Sequence, residues 1–368
     1  MTRFARRGFA ELPGWAGADH ALAFAAFRAG APRLVNGQVS AGTLDIAPGA
    51  FHAAAEAAVA AGELDGAAAR SFFETHFTPL RIVPSGSVSA QPGFVTGYYE
   101  PVVAASPVRT ARFRFPLYAP PPDLVKIDDI SRPPGLDSSF RFARRAPCGM
   151  LEEYPDRAAI EAGALAGQDL EIAWLDDPVE AFFIHIQGSA RLRLSDGREI
   201  RVGYAAKTGH PFTAIGRILV DEGELTLAEA DMDGIRGWLA AHPERRQALF
   251  NRNRSFIFFR RTPVDDPDLG PVGAAKVPLT ALASIAVDRE LATFCVPYFI
   301  DAPRLVVAGA PFRRLMIAQD TGSAILGPAR ADIFVGSGPD AGQIAGRIRH
   351  PADFSVLVPA TLAKSLVR

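Results

Sequence analysis

The spacing of apolar and polar positions changes character along the chain. Between Ala21 and Phe27, and again between Phe51 and Phe77, stretches rich in Ala, Glu and Leu carry apolar residues at spacings of three and four. That spacing predicts amphipathic helices covering one face of a larger body. A proline-rich stretch from Pro116 to Pro134 follows. Proline lacks the donor that a central strand or helix interior requires, so this segment reads as a loop or crossing connection. Asp156 is placed to cap a helix through Leu165, ended by Gly167, and Asp177-Pro178 opens another. Ser189 to Leu194 and Glu199 to Ala205 alternate around Asp196-Gly197, the pattern of a hairpin. Thr226 and Glu229 have the spacing of a capping box, which predicts a helix from there to about Ala241.

Beyond Asn251 the pattern turns to short extended runs: Ser255 to Phe259, Ser284 to Val287, Tyr298 to Ile300, Leu315 to Ala318, Ile333 to Val335 and Ser355 to Val358. Gly and Pro separate them at intervals that suit a small barrel or sandwich better than alternating strands and helices. The fold class expected is mainly β with peripheral helices.

The segment from Leu315 to Val335 carries the most chemistry. It sets Asp320 and Asp332 at the ends of a glycine-punctuated turn between two apolar runs. Aspartate beside a strand commonly only caps a turn. Asp332, however, sits among Ala331, Ile333, Phe334 and Val335, where an unpaired charge is costly and the acid form is favoured. Arg330, the nearest basic residue along the chain, is expected on the opposite face of a strand. An acid kept protonated near neutral pH can break an acetal.

At this point the residues match a family. Asp320-Thr-Gly-Ser-Ala-Ile, Ala331-Asp332-Ile-Phe and Gly336-Ser-Gly-Pro-Asp-Ala-Gly342 resemble the C-terminal signature of the membrane-bound lytic murein transglycosylase A family. Upstream, Thr96-Gly-Tyr-Tyr-Glu-Pro101, Phe115-Pro-Leu-Tyr118, Ile186-Gln-Gly-Ser189, Lys207-Thr-Gly-His-Pro211, Ser255-Phe-Ile-Phe-Phe259 and Val287-Asp288-Arg289 follow in that family's order. The resemblance runs from about Leu12 to Pro359 and rests on the ordered set. It implies a double-psi β-barrel domain formed by residues 1–102 and 250–368, a second β-rich domain inserted at 103–249, and a glycan groove between them. It further implies cleavage of peptidoglycan between N-acetylmuramic acid and N-acetylglucosamine by a single Asp, acid then base, with a 1,6-anhydro ring as product. Asp332 matches the acid/base position, and Asp320 is the candidate to orient the site or steady developing charge. Tyr98, Tyr99 and Glu100, with Gln187, Gly188 and Ser189, are candidate sugar contacts, since sugars pack C–H faces on rings while polar groups take their hydroxyls. Asp288 is added on the resemblance alone. The chain departs from the family pattern at Ala190, Thr208 and Lys276, where Gly, Asn and Gly are common, and these changes are expected to affect affinity more than reaction type.

Composition narrows the alternatives. With 368 residues, 48% hydrophobic and 21% charged, the chain has ample material for a folded core. A formal net charge of -1 without a basic cluster argues against nucleic acid. Two cysteines, no CxxC and no HExxH leave a metal site without support, and neither metal nor cofactor is expected. His185, His210 and His350 lack a recognisable partner for acid–base work. No run of eighteen apolar residues occurs, and the first twenty residues show neither the apolar core of a signal peptide nor an early Cys for a lipid. Placement in the cell envelope is therefore implied by the resemblance alone. Three other readings are weighed against it: a non-catalytic wall-binding module, a hydrolytic glycosidase using Asp320 and Asp332 as a pair, and a nucleotide-dependent enzyme prompted by Gly336 to Gly342. The last finds no convincing succession of strands and helices after the loop, and Pro339 sits inside it. A serine hydrolase is unsupported, because neither Ser189 nor Ser337 stands in G-x-S-x-G.

Overall fold

Asp19 and Asp65 each begin a helix by accepting a backbone N–H, from Leu22 at 3.1 Å and from Ala68 at 2.8 Å. The computed structural model describes residues 2–83, 93–262 and 266–367, and the chain forms two compact units. The first comprises Met1–Tyr99, Pro267–Gly336 and Asp340–Arg368, and the second Glu100–Asp266 with Ser337–Pro339.

In the first unit the helix begun by Asp19 spans His20–Val35, longer than the periodicity predicts. The run from Phe51 to Phe77 is two α-helices, His52–Ala61 and Gly66–His76, rather than one. Gly62 takes a left-handed backbone (φ 68°) that ends the first, and Asp65 starts the second. Phe24, Phe27, Phe72, Phe73 and Phe77 knit these helices together through tilted and edge-on ring contacts.

Their core is shared with a closed barrel of six strands. Around the ring the order is Gly93–Glu100, Arg349–Val358, Pro297–Val307, Ala310–Thr321, Ser284–Val287 and Arg330–Ser337, which returns to Gly93–Glu100. Ser284–Val287 pairs parallel with Ala310–Thr321 and antiparallel with Arg330–Ser337. Thr78–Val83 extends the sheet beside Arg349–Val358, and Arg3–Arg6 forms its edge. Ile285, Val287, Ile317, Ala331, Ile333 and Val335 are buried in the main core, as alternation requires of one face.

The second unit is built on a six-stranded sheet ordered Ile257–Thr262, Glu199–Lys207, Ser189–Leu194, Val102–Ser106, Glu171–Leu175 and Phe115–Tyr118. Its two edge strands approach each other, so the sheet is nearly closed. The hairpin around Asp196-Gly197 forms as its turn residues predict. Phe115–Tyr118 corrects the reading of the proline-rich stretch as loop throughout: Pro116 is in a strand, but an edge strand, where a missing N–H leaves no ladder bond unmade. The helix predicted from Thr226 begins instead at Met232, capped by Asp231, which accepts from the Gly234 N–H. The reciprocal bonds between Thr226 and Glu229 do form, but they close a single turn.

Candidate active site

Three adjacent barrel strands bring the two aspartates into one row. Ala286 is the register partner of Asp332 on one side and of Asp320 on the other. Facing partners on neighbouring strands point to the same side, so both carboxylates flank a methyl group, two strand spacings or about 10 Å apart at the backbone. This alignment depends on a bulge. Ile285 pairs with Ala318 and Ala286 with Asp320, so Gln319 is the extra residue. Without it Asp320 would face the opposite side from Ala286. Gln319 is fully buried and fastened at both ends of its amide, accepting from Ser284 Oγ at 2.5 Å and donating to the Ala26 carbonyl at 2.8 Å.

The face carrying the row has its own small apolar cluster, Tyr98, Leu279, Ala286, Ile325 and Phe334, separate from the main core. Asp332 is partly exposed at its edge. Thr96 Oγ1 donates to Asp332 Oδ1 at 2.7 Å, and Thr96 in turn accepts from Arg330 Nη2 at 2.7 Å. Arg330 also donates to the Ala331 carbonyl. The expectation that Arg330 points away from Asp332 is thereby corrected: residues two apart on a strand share a face. Burial pushes the Asp332 carboxyl up to about 6, with the Asp320 charge adding to the rise and Thr96 and Arg330 opposing it.

Asp320 is held on both oxygens. Tyr98 Oη donates to Oδ2 at 3.0 Å and the Ala274 N–H to Oδ1 at 3.0 Å. Burial raises its carboxyl too, against these bonds, a Thr321 backbone bond and the Lys276 charge. Burial and the two nearby carboxylates keep the Tyr98 phenol well above its ordinary range, so it stays a neutral donor. Lys276 adopts a left-handed backbone (φ 63°), which accounts physically for glycine suiting this position and marks the lysine as a strained substitution.

The other expected residues occupy different settings. Asp288 is buried and accepts the N–H groups of Glu290 at 3.0 Å and Gly327 at 2.8 Å, so it pins the turn that joins the two aspartate strands. Tyr99 lies in the main core against Gly342, where an added Cβ would stand 2.9 Å from the ring. Glu100, read from the sequence as a sugar contact, is fully buried. It binds Arg201 at 2.6 Å, Arg191 at 3.3 Å and Ser337 Oγ at 2.7 Å, the surroundings of a structural anchor. Gln187 and Gly188 end the helix Pro178–Gln187, with Gly188 left-handed (φ 78°), and Ser189 begins the next strand, buried. All three belong to the second unit. Thr208 and His210 are buried, His210 through a 2.7 Å bond from Nε2 to the Tyr154 carbonyl. Ala190 is buried within its strand.

Sequence reasoning misses Thr96, Arg330, Gln319 and Ala286 as parts of the site. The i, i+2 spacing of Arg330 and Asp332 is a signal that finds the arginine, whereas Thr96 comes from a distant segment. Among the described residues no group of three or more His, Cys, Asp and Glu is placed to hold a metal ion, and no helix is long and apolar enough to cross a membrane.

Comparison with known proteins bears on this arrangement. The MltA specific insert domain model matches residues 94–260, and the 3D domain model matches residues 283–358. The crystal structure of a membrane-bound lytic murein transglycosylase from Agrobacterium tumefaciens is 43% identical, with a TM-score of 0.91 over 99% of both chains. That of Escherichia coli MltA with bound chitohexaose is 28% identical, with a TM-score of 0.70 over 97% of this chain and 94% of the other. The curated membrane-bound lytic murein transglycosylase A of Escherichia coli K12 is 32% identical over 262 residues, 69% of this chain. That match spans 62% of the relative's length.

Proposed function

This chain belongs to the membrane-bound lytic murein transglycosylase A family, and on that premise we propose that it cleaves peptidoglycan non-hydrolytically between N-acetylmuramic acid and N-acetylglucosamine, with Asp332 as acid and then base. The observation that carries this reading is the state of Asp332, a carboxyl pushed up to about 6 beside an apolar cluster. Such a group is protonated often enough near neutrality to protonate a leaving oxygen and, once ionised, basic enough to take a proton back.

In this mechanism the Asp332 proton passes to the glycosidic oxygen as the bond from that oxygen to the muramoyl C1 breaks. The resulting carboxylate accepts the proton of the muramoyl C6 hydroxyl, whose oxygen closes onto C1 as the 1,6-anhydro ring. Because the nucleophile belongs to the substrate, its effective concentration is high and the protein need supply none. Asp320, with both oxygens engaged by Tyr98 and Ala274, suits a fixed negative charge beside the developing oxocarbenium ion. The chitohexaose bound to the Escherichia coli relative supports a glycan strand as substrate, and the relatives' designation as membrane-bound supports an envelope setting.

One observation favours a second reading. Asp320 and Asp332 form a row of interacting carboxyls, as a hydrolytic pair would. Mass analysis of muropeptides released from purified peptidoglycan separates the two, since an anhydro end is lighter by one water than a reducing end. Asp332→Ala is expected to lower turnover by about 10²–10⁴-fold with substrate binding retained. Undiminished activity in that variant would remove the assignment, and binding without any release by the unaltered protein would make the chain a wall-binding module.

A further inference from the structure

The carboxyl of Asp332 has two oxygens, and the reaction needs the proton on the one that meets the sugar. Thr96 has one hydroxyl hydrogen. Arg330 Nη2 donates to Thr96 Oγ1 at 2.7 Å, and a guanidinium only donates, so the threonine hydrogen is left to point at Asp332 Oδ1, 2.7 Å away. An oxygen already accepting a hydrogen bond from a hydroxyl whose own direction is set is a poor place for a second proton. Among the described residues Oδ2 accepts no hydrogen bond.

We infer that Arg330 is a positioning residue for the acid, acting through Thr96 to place the transferable proton of Asp332 on Oδ2. The inference rests on the transglycosylase reading. Without the guanidinium, the Thr96 hydroxyl can rotate and accept a proton held on Oδ1, which turns the acid toward the protein and away from the leaving oxygen. The strand supplies the geometry, because Arg330 and Asp332 stand two residues apart on Arg330–Ser337, and Thr96 reaches both from Gly93–Glu100.

The charged and titratable groups facing Asp332 come from four strands. Arg330 shares its own strand, Tyr98 lies two residues beyond Thr96, and Asp320 stands across Ala286. Arg349 is the register partner of Thr96. Arg330 draws the Asp332 carboxyl down, and Asp320 draws it up. Removing the arginine therefore moves the titration of Asp332 upward.

The test combines ¹³C-carboxyl titration of Asp332 in the free full-length protein with steady-state kinetics on purified peptidoglycan. Arg330→Gln is expected to raise the Asp332 midpoint by about one unit. It should also lower kcat on the order of tenfold with KM within about twofold, and shift the alkaline limb of kcat upward. Arg330→Lys and Thr96→Ser, which keep a donor and a hydroxyl in place, should recover most of both effects. In a Thr96→Val background, adding Arg330→Gln should change kcat by less than about threefold, because the two act as one unit. An unmoved midpoint in a folded Arg330→Gln protein, or a raised KM at constant kcat, overturns the inference. Absence of anhydro ends from the unaltered protein sinks the transglycosylase reading instead, and the carboxyl titration still decides whether Arg330 governs Asp332.

Discussion

Asp332 is a residue whose protonation costs and benefits can be weighed directly. Its folded value of about 6 stands above its ordinary value of 3.8. At pH 3 both folded and unfolded chains carry it protonated, and it contributes no difference. As pH rises through 3.8 the unfolded chain ionises first and gains on the folded one, and the loss of stability is complete above about 6. The full difference corresponds to about 3 kcal/mol, and partial exposure reduces it to roughly 1–2 kcal/mol. Asp332→Asn is therefore expected to be more stable than the unaltered protein at pH 7 and equal to it at pH 3, as read from unfolding curves at both pH values. A variant destabilised at pH 7 contradicts the buried-acid description. In activity the sign is the same: kcat/KM should fall about tenfold per pH unit above pH 6, because the acid must be protonated in the free enzyme. The apolar neighbours of Asp332 are legible in the sequence, and they are the cause of the raised value. Its partners are not, because Thr96 stands 236 positions away and meets it only through strand pairing.

At the scale of elements, turn and cap chemistry was the most readable part of the chain. Asp177-Pro178 opens its helix, with Asp177 accepting from Val179 at 2.7 Å, and Asp196-Gly197 turns its hairpin. Local rules failed where two signals competed within a few residues. Thr226 and Glu229 close their box, yet Asp231 captures the helix start; Gly62 and Asp65 divide a run whose apolar spacing is continuous. The bulge at Gln319 was not legible, since nothing in its own segment marks it and its amide partners, Ser284 and Ala26, come from elsewhere. Gln319→Ala removes both of these buried hydrogen bonds, while Ser284 Oγ still accepts the Thr280 N–H at 2.8 Å, at a cost of about 1–3 kcal/mol by denaturant unfolding. Loss of the bulge's anchor should also reduce kcat, through misdirection of Asp320. A change below about 0.5 kcal/mol would mean that the backbone holds the bulge without the amide.

Across the whole molecule, the chain passes between its two units four times, at Tyr99/Glu100, Asp266/Pro267, Gly336/Ser337 and Pro339/Asp340. Glu100 follows the first of these passages directly. Its carboxylate meets two arginines and Ser337, and its carbonyl accepts the Gly338 N–H at 2.9 Å. Glu100→Ala removes the carboxylate that buried Arg191 and Arg201 share, while Arg191 keeps Glu199 at 3.7 Å, and about 3 kcal/mol of destabilisation is expected by chemical unfolding. If instead Glu100 were a sugar contact, the variant would keep its stability and lose substrate affinity.

What the sequence determined by itself was local and chemical: the helices, the hairpin, the run of β-strands near the C-terminus, and an aspartate set among apolar neighbours. These follow from interactions within a few residues, which pattern alone reports. Only the tertiary structure decided that Asp320 and Asp332 face one another across Ala286, that Arg330 reaches Asp332 through Thr96, and that Glu100 is buried against Arg191, Arg201 and Ser337. Each of those outcomes depends on register between strands distant in sequence, where a shift of one residue turns every side chain to the other face.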